Sequence, residues 1–369
     1  MFLNYKGKKT VEEIENIIEI KRLKLKSISK GSEKGIYINA DNFDAMIMLL
    51  DNFENSVDLV YIDLPFNTNS DFYYNEDKTS TISSSKNDSL AYSDKMNLNE
   101  YLEFIRERLI LIKKLLSDRG TIYFHIDCKV GPYIKLILDE IFGIKNFVND
   151  ISRVKSNPKN FKRKAFGNEK DVIYIYSKKN QNNIFNNVTI ALSEEEILKK
   201  FPKIDKNGRR YNTVPCHAPG ETKNGETGGK WKGVFPPKGR HWRYSPKELE
   251  KLDENGLIEW SKNGVPRIKN FSDEHKGKKI QDIWSNFKDP QNPIYPTEKN
   301  LDMLSMIAQQ SSNEDSIIMD CFCGSSSFLL ARINKKRYVI GIDKSDVSKE
   351  VLLKRRNIND LVIVESIDL

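Results

Sequence analysis

The chain has 369 residues and carries 60 Lys or Arg against 52 Asp or Glu, which gives a net charge of +8 and a pI of about 9.0. This length exceeds one ordinary domain and predicts a main domain with a substantial insertion, while the positive charge suits a polyanionic partner. No apolar run of about 18 residues and no signal-peptide pattern occurs, so the sequence excludes a membrane protein and predicts a cytoplasmic setting. The 4 cysteines and 4 histidines show no ligand spacing, and no metal site is predicted.

The N-terminal third of the chain alternates between helical and strand patterns. Apolar residues at helical spacing follow Thr10, which can cap a helix, and they predict a packing helix in the first 30 residues. Residues 36–66 then read as strand, helix and strand. The polar, Ser- and Lys-rich stretch 73–94 predicts a mobile loop. Residues 97–142 predict a long helix, a strand at 121–125 and a second helix.

The strand before residue 64 ends in a group of residues suited to holding a polar ring. Asp63 supplies a carboxylate acceptor and Leu64 a backbone carbonyl. Pro65 fixes φ, and Phe66 offers an aromatic plate. Such a group can hold an exocyclic amino group by two hydrogen bonds while the ring of Phe66 stacks on the base. The alternative is an ordinary strand end followed by a Pro-containing turn.

The segment from about 181 to 288 differs in composition, because it is rich in Lys, Gly, Asn and Trp. Its strip 230–244 interleaves cations with aromatic rings, which is typical of surfaces that contact phosphates and stack on bases. The predicted DNA-binding residues are Lys230, Trp231, Lys232, Lys238, Arg240, Trp242 and Arg243. The alternative is a small aromatic core beneath a basic surface, with the two Trp rings packed inside.

A second strand end, at residues 317–320, is followed by a glycine turn. Gly324 lets the backbone approach a ligand closely, and the next strand ends in another acid, Asp343. An acidic residue about twenty positions beyond a glycine turn is placed to bind ribose hydroxyls. The alternative is a tight connection without a ligand.

Both strand ends are expected at one site. In an open α/β sheet, ligands bind outside the carboxyl ends of the strands, where the strand order reverses. The predicted fold is therefore α/β, with a doubly wound, mostly parallel sheet and an inserted domain.

Several spaced motifs resemble one family. Residues 63–66 resemble the Asp-Pro-Pro-Tyr/Phe catalytic motif of amino-methylating DNA methyltransferases, and residues 320–325 resemble their cofactor motif Asp-x-Phe-x-Gly-Ser-Gly. Residues 39–46 and 295–299 resemble two further elements of the family. The catalytic motif precedes the cofactor motif, with a long insert between them, which is the order of the permuted β group. The sequence departs from the family at Leu64, where a proline is usual, and at Ser326, where a glycine is usual.

The resemblance implies a methyltransferase fold with S-adenosyl-L-methionine as its cofactor. The domains it implies are an N-terminal extension at 1–30, a catalytic half at 31–180, a target-recognition domain at 181–288 and a cofactor half at 289–369. The implied catalytic residues are Asp63, Leu64, Pro65 and Phe66. The implied cofactor-binding residues are Asp41, Asn42, Thr297, Lys299, Asp320, Phe322, Cys323, Gly324, Ser325 and Asp343.

The function implied is methyl transfer to the N6 amino group of a flipped adenine in double-stranded DNA, within a restriction-modification system. Two alternatives stay open: methylation of cytosine N4, and a decayed methylase scaffold that only binds DNA. Leu64 and Ser326 are the residues that keep the last alternative open. The resemblance also leaves room for a restriction endonuclease and a second copy of the chain as partners.

Overall fold

A computed structural model describes most of the chain. The described residues are 3–29, 31, 34–64, 71–74, 89–93, 96–156, 164, 166–291, 293, 298–330, 336–355 and 361–365, with the backbone alone at 71–74 and 89–93. Pro65, Phe66, Thr297 and most of the predicted polar loop lie outside the described residues.

The described elements are strands and helices, with runs of several strands between some of the helices. The strands are β1 (Gly35–Asn39), β2 (Val57–Asp63), β3 (Asp71–Tyr74), β4 (Ser89–Ser93), β5 (Leu116–Ile126), β6 (Phe147–Val154), β7 (Lys170–Ser177), β8 (Thr189–Ile190), β9 (Lys203–Ile204), β10 (Arg210–Pro215), β11 (His217–Pro219), β12 (Arg240–Trp242), β13 (Ile258–Trp260), β14 (Pro266–Phe271), β15 (Lys278–Lys279), β16 (Ile283–Trp284), β17 (Ile317–Asp320), β18 (Tyr338–Ile342) and β19 (Val362–Glu365). The helices are α1 (Val11–Arg22), α2 (Asn42–Phe53), α3 (Leu98–Leu115), α4 (Gly131–Phe142), α5 (Glu194–Lys200), α6 (Pro246–Glu254), α7 (Leu301–Ser311), α8 (Ser327–Leu330) and α9 (Asp346–Lys354).

Nine strands form the main sheet, in the order β16-β6-β7-β5-β2-β17-β18-β1-β19. Strand β7 runs antiparallel to both of its neighbours, whereas the other neighbouring pairs are parallel. The mostly parallel α/β sheet predicted from the sequence is confirmed. Two late strands, β17 and β18, lie between the early strands β1 and β2. The two ends of the chain therefore build the centre of the sheet together.

The N-terminal helix forms as the sequence predicts. The Thr10 hydroxyl accepts the Glu13 N–H, and the Glu13 carboxylate accepts the Thr10 N–H, which makes a capping box. Ile14 and Ile18 lie one turn apart and are buried in the core of the main sheet. Full burial of one such side chain contributes about 1.5–3 kcal/mol.

The chain divides into two compact units. The first comprises Met1–Val188 and Gln281–Leu369, and the second is Thr189–Ile280. The second unit has its own small sheet, β13-β14-β10-β9, and its own apolar core. That core contains Cys216, Trp231, Trp242, Leu249 and Ile258. Within the described part of the chain, no helix is long and apolar enough to cross a membrane.

Candidate active site

The two strand ends singled out in the sequence lie side by side. Strands β2 and β17 are parallel neighbours, with Asp320 paired to Tyr61. Asp63 follows Tyr61 by two residues on the same strand, so its side chain and that of Asp320 lie at the carboxyl edge of the sheet. The expectation that the two strand ends lie together is confirmed, and the site they would form stays a prediction.

One carboxylate oxygen of Asp63 has a hydrogen-bond partner, and the other has none among the described residues. Its Oδ2 accepts a charge-assisted hydrogen bond from Lys299 Nζ at 2.6 Å. Its Oδ1 is buried and has no hydrogen-bond partner among the described residues. A buried acceptor without a donor is costly, on the order of 1–3 kcal/mol, and such groups concentrate at functional sites. Oδ1 is therefore a ready acceptor for a donor supplied by a ligand.

A buried polar network lies behind Asp63. His125, on β5, is 0% exposed, and its Nδ1 lies 2.9 Å from the Tyr61 hydroxyl and 3.6 Å from Asp63 Oδ1. Its Nε2 lies 3.3 Å from Asp171 Oδ2. Lys155 Nζ donates to Asp171 Oδ1 at 2.6 Å. The sequence analysis did not single out these network residues; the one signal was a His at the end of a strand beside β2.

Burial and charge set the ionisation of this network. Burial lowers the pKa of His125, against the opposing effect of Asp171. Burial alone would raise the pKa of Asp171, but the hydrogen bonds from His125 and Lys155 hold that pKa well below its usual range. Burial, followed by the charge of Asp63, raises the pKa of Tyr61. At neutral pH, His125 is therefore neutral and Asp171 is ionised.

The glycine turn after β17 is tied to the tip of β18 by backbone hydrogen bonds. The Gly324 N–H donates to Asp343 Oδ2 and the Ser345 N–H to Oδ1, both at 2.8 Å. The Cys323 N–H donates to the Ile342 carbonyl at 3.0 Å. Asp343 thus fixes the turn, and each of its oxygens accepts one described N–H.

Asp320 lies beneath this turn as a buried acid. Its Oδ1 accepts the Phe322 N–H at 3.0 Å. Burial, reinforced by the charge of Asp63, raises the pKa of Asp320 to about 8, and burial also raises the pKa of Asp343. Both carboxyls therefore bind protons more tightly in the fold than in water.

The other residues predicted around the turn have mainly structural contacts. The Cys323 thiol is buried and donates to the Asp320 carbonyl. The Ser325 and Ser327 hydroxyls lie 2.8 Å apart, and the Ser327 hydroxyl donates to Glu298 Oε1. The Phe322 ring lies 6.2 Å from the Phe104 ring.

Asp41 and Asn42 start α2 below the same sheet edge. Asp41 caps the helix by accepting the Phe43 N–H and pairs with Arg108 at 3.2 Å. The Asn42 amide donates to the Cys321 carbonyl at 2.8 Å, and its oxygen accepts from Arg108 Nε. The Asn42 side chain therefore supports the turn, whereas Asp41 keeps a half-exposed carboxylate.

Ser326 adopts a conformation that favours glycine. Its φ is +57°, and its hydroxyl is buried with no hydrogen-bond partner among the described residues. The structure thus shows that this serine, at a position where the family usually has a glycine, strains the turn.

Ser326→Gly is expected to raise the free energy of unfolding by about 1 kcal/mol, because it removes the left-handed strain and the unpaired hydroxyl. Urea unfolding of both proteins measures this. Ser327→Gly is the matched control, since Ser327 begins α8 with its hydroxyl bonded, and it should lower stability. Equal or lower stability of Ser326→Gly would contradict the account of strain.

The structure corrects the role predicted for the two Trp residues of the basic strip. Trp231 is 3% exposed and Trp242 1% exposed, and their rings pack edge to face at 6.1 Å. The Trp231 Nε1–H donates to Glu250 and the Trp242 Nε1–H to the Gly229 carbonyl. Rings buried in this way cannot stack on bases, so the aromatic core considered as the alternative is what forms.

The cations of the strip remain at the surface of the second unit. Lys232 forms ion pairs with Asp253 and Glu250 of the same unit, so its charge is already paired within that unit. The other exposed cations of the strip are Lys230, Lys238, Arg240 and Arg243. An exposed ring that the sequence analysis did not name, Phe235, is 62% exposed beside Lys230.

The comparisons with known proteins agree on one family. A family model described as DNA methylase, for N6 and N4 methyltransferases, matches residues 57–354. Type II methyltransferase M.EcaI of Enterobacter cloacae is 40% identical over 302 residues, which cover 80% of this chain and 64% of that protein. Type II methyltransferase M.KpnI of Klebsiella pneumoniae is 26% identical over 344 residues, covering 85% of this chain and 78% of that protein.

The Mod subunit of the type III restriction-modification enzyme StyLTI of Salmonella typhimurium is 25% identical over 331 residues, covering 79% of this chain and 48% of that protein. The chain thus spans about half to two thirds of the length of two of these relatives. The family model, in contrast, spans well over half of the chain and includes both strand ends of the site, and on that ground the chain belongs to the DNA methylase family.

Proposed function

We propose that the chain transfers a methyl group from S-adenosyl-L-methionine to the N6 amino group of an adenine in double-stranded DNA, as part of a restriction-modification system. Family membership and the names of the relatives support the reaction class. The single observation that carries the proposal is Asp63 Oδ1, which is buried at the carboxyl edge of the sheet and has no hydrogen-bond partner among the described residues.

The residues at this edge suit the proposed cofactor. A carboxylate has about four lone-pair sites, so the two backbone bonds to Asp343 leave acceptors for ribose hydroxyls. The pKa values of Asp320 and Asp343 are raised in the protein alone. A positively charged ligand bound beside them would favour their ionised forms, so these carboxyls suit such a ligand. When bound, S-adenosylmethionine supplies an electrophilic methyl group on a sulfonium ion.

The chain's own residues would orient the amine. An aromatic exocyclic amine is a poor nucleophile because its lone pair is delocalised over the ring. Asp63 Oδ1 would accept one N–H and the Leu64 carbonyl the other, which directs the lone pair at the methyl group. Lys299 holds Asp63 by its other oxygen, so the acceptor is fixed before the base arrives. The stacking role of Phe66, which lies outside the described residues, stays a prediction.

Base analysis of modified DNA tests this proposal. DNA from a host that expresses the chain should contain N6-methyladenine at one short sequence. N4-methylcytosine would instead select the cytosine alternative, since Asp63 can accept an N–H from either amine. Sequence-specific DNA binding without any methylated base would support the decayed scaffold and overturn the proposal.

DNA recognition is proposed for the second unit, through cations grouped near β11 and β12. Burial lowers the pKa of His217, and the charges of Arg240, Arg243 and Arg267 lower it further. These three arginines and His217 are therefore neighbours. Arg240 lies 3.3 Å from His217 Nδ1. Such a cluster is suited to phosphate oxygens or base edges.

Arg240→Ala is expected to weaken DNA binding several-fold and to reduce the slope of log K against log salt by about 1, because one phosphate contact is lost. Fluorescence anisotropy at several salt concentrations measures both. Lys206→Ala, in the exposed turn between β9 and β10, is the matched control and should leave both unchanged. An equal effect of the two substitutions would mean that Arg240 contributes only to the net charge of the protein and makes no specific contact with DNA.

The relatives also suggest a nuclease partner. StyLTI Mod is named as a subunit of a restriction-modification enzyme, and we propose that this chain protects DNA from a cognate endonuclease. Loss of viability on deletion of the chain from a host that retains the nuclease would support this.

A further inference from the structure

The network behind Asp63 contains groups that the proposed reaction does not use directly. His125 is enclosed by charged and polar side chains from three strands and one loop. Those side chains are Tyr61 and Asp63 on β2, Asp171 on β7, Arg153 on β6, and Lys299. These neighbours decide which ring nitrogen of His125 carries the hydrogen. They therefore decide whether Nδ1, the nitrogen near Asp63, can act as a donor or as an acceptor.

The hydrogen bond to Asp171 selects the tautomer. An ionised carboxylate only accepts hydrogen bonds, so a neutral His125 places its hydrogen on Nε2, facing Asp171 Oδ2. Nδ1 then carries a lone pair and accepts from the Tyr61 hydroxyl at 2.9 Å. Nδ1, which lies 3.6 Å from Asp63 Oδ1, therefore has no hydrogen to offer that oxygen.

We propose that Asp171 and His125 are positioning residues that keep the protein's own donors away from Asp63 Oδ1, and so reserve this oxygen for the N–H of the target amine. This inference rests on the proposed function. It explains how an acceptor can stay without a partner among the described residues beside a buried imidazole: the reverse tautomer would place an Nδ1–H between the Tyr61 oxygen, 2.9 Å away, and Asp63 Oδ1, 3.6 Å away, and would release the Tyr61 hydrogen that Nδ1 now accepts.

Asp171→Asn is the variant that reverses the tautomer. Lys155 donates to Asp171 Oδ1 at 2.6 Å, whereas Arg153 is 3.7 Å from Oδ2. In the variant, the amide oxygen should therefore face Lys155 and the amide NH2 should face His125. Nε2 must then accept, and the hydrogen moves to Nδ1.

Removing Lys155 as well should restore the original tautomer. In Asp171→Asn combined with Lys155→Met, the amide is free to turn its oxygen towards His125 and Arg153. A rescue of this kind distinguishes control of the tautomer from a merely structural role. If both side chains were only structural, the double variant should lose more activity than either single variant.

The experiment combines nitrogen NMR with kinetics. ¹⁵N-histidine labelling reports which ring nitrogen carries the hydrogen, and His125 is assigned in a variant whose other histidines, His217, His241 and His275, are replaced by Asn. We expect Nε2–H in the parent, Nδ1–H in Asp171→Asn and Nε2–H in the double variant. Methyl transfer at saturating cofactor should fall by about tenfold in Asp171→Asn, the effect of one lost hydrogen bond, and recover in the double variant.

Three results would overturn the inference: Nδ1–H in the parent protein, a switched tautomer with unchanged methyl transfer, or a double variant slower than Asp171→Asn. The parent spectrum decides the first of these even where the variants fold poorly. Because the spectra do not require turnover, a protein with the expected tautomer but no methyl transfer would contradict the proposed function and leave the tautomer assignment standing.

Discussion

Asp63→Asn should lower the rate of methyl transfer to DNA by about 100-fold or more, because the amide presents its NH2 where the target amine needs an acceptor. The amide oxygen can still accept from Lys299, which donates to Oδ2 in the parent. Affinity for S-adenosylmethionine should therefore change little. Transfer of labelled methyl groups to DNA measures the first effect, and calorimetry measures the second.

Asp63→Ala provides a second comparison. This variant also loses the acceptor, and it removes the carboxylate to which the nearly buried Lys299 donates. Transfer should be as low as in Asp63→Asn, while the free energy of unfolding should fall as well. Near-parent transfer rates in Asp63→Asn would remove Asp63 from the reaction.

Asp343→Ala should weaken binding of S-adenosylmethionine by tens-fold or more. The substitution removes the proposed ribose acceptor, and it also releases the Gly324 and Ser345 N–H groups that hold the turn. An unpaired donor in such a site costs on the order of 1–3 kcal/mol. Isothermal calorimetry measures the affinity.

Asp343→Asn is the matched variant, because one amide oxygen can still accept a backbone N–H. It should retain more of the fold stability than Asp343→Ala while still losing affinity. If affinity stays unchanged in both variants, the turn after β17 does not bind the cofactor.

The sequence predicted which strand ends meet, because that inference needs only local signals. An apolar run ending in Asp63 and another ending in Asp320 both mark buried strands with polar ends, and parallel strands carry such ends on one edge. The structure places the two strands next to each other. The N-terminal helix was equally predictable, since Thr10 and Glu13 form a local capping box.

The contacts of His125 with Asp171 could not be predicted from the sequence. They depend on the antiparallel register between β5 and β7, in which His125 pairs with Ile173. His125 and Asp171 are separated by 46 positions, and neither carries a local motif. The same holds for Lys299, whose partner Asp63 comes from the opposite end of the chain.

The basic strip shows a different limit of sequence reasoning. Trp231 and Trp242 alternate with cations in a segment without helical or strand periodicity, so the pattern does not say which side chains face inward. The small second unit must bury large rings to form a core of its own, and these two rings supply it. The cations remain outside, as their hydration requires.

The most direct measurement of the central claim is a structure of the protein with duplex DNA and an unreactive analogue of S-adenosylmethionine. The account predicts a flipped adenine whose N6 lies about 2.8–3.2 Å from Asp63 Oδ1, with Lys299 still bonded to Oδ2. A target amine bound away from Asp63, or an Asp63 that keeps Oδ1 turned from the base, would contradict it.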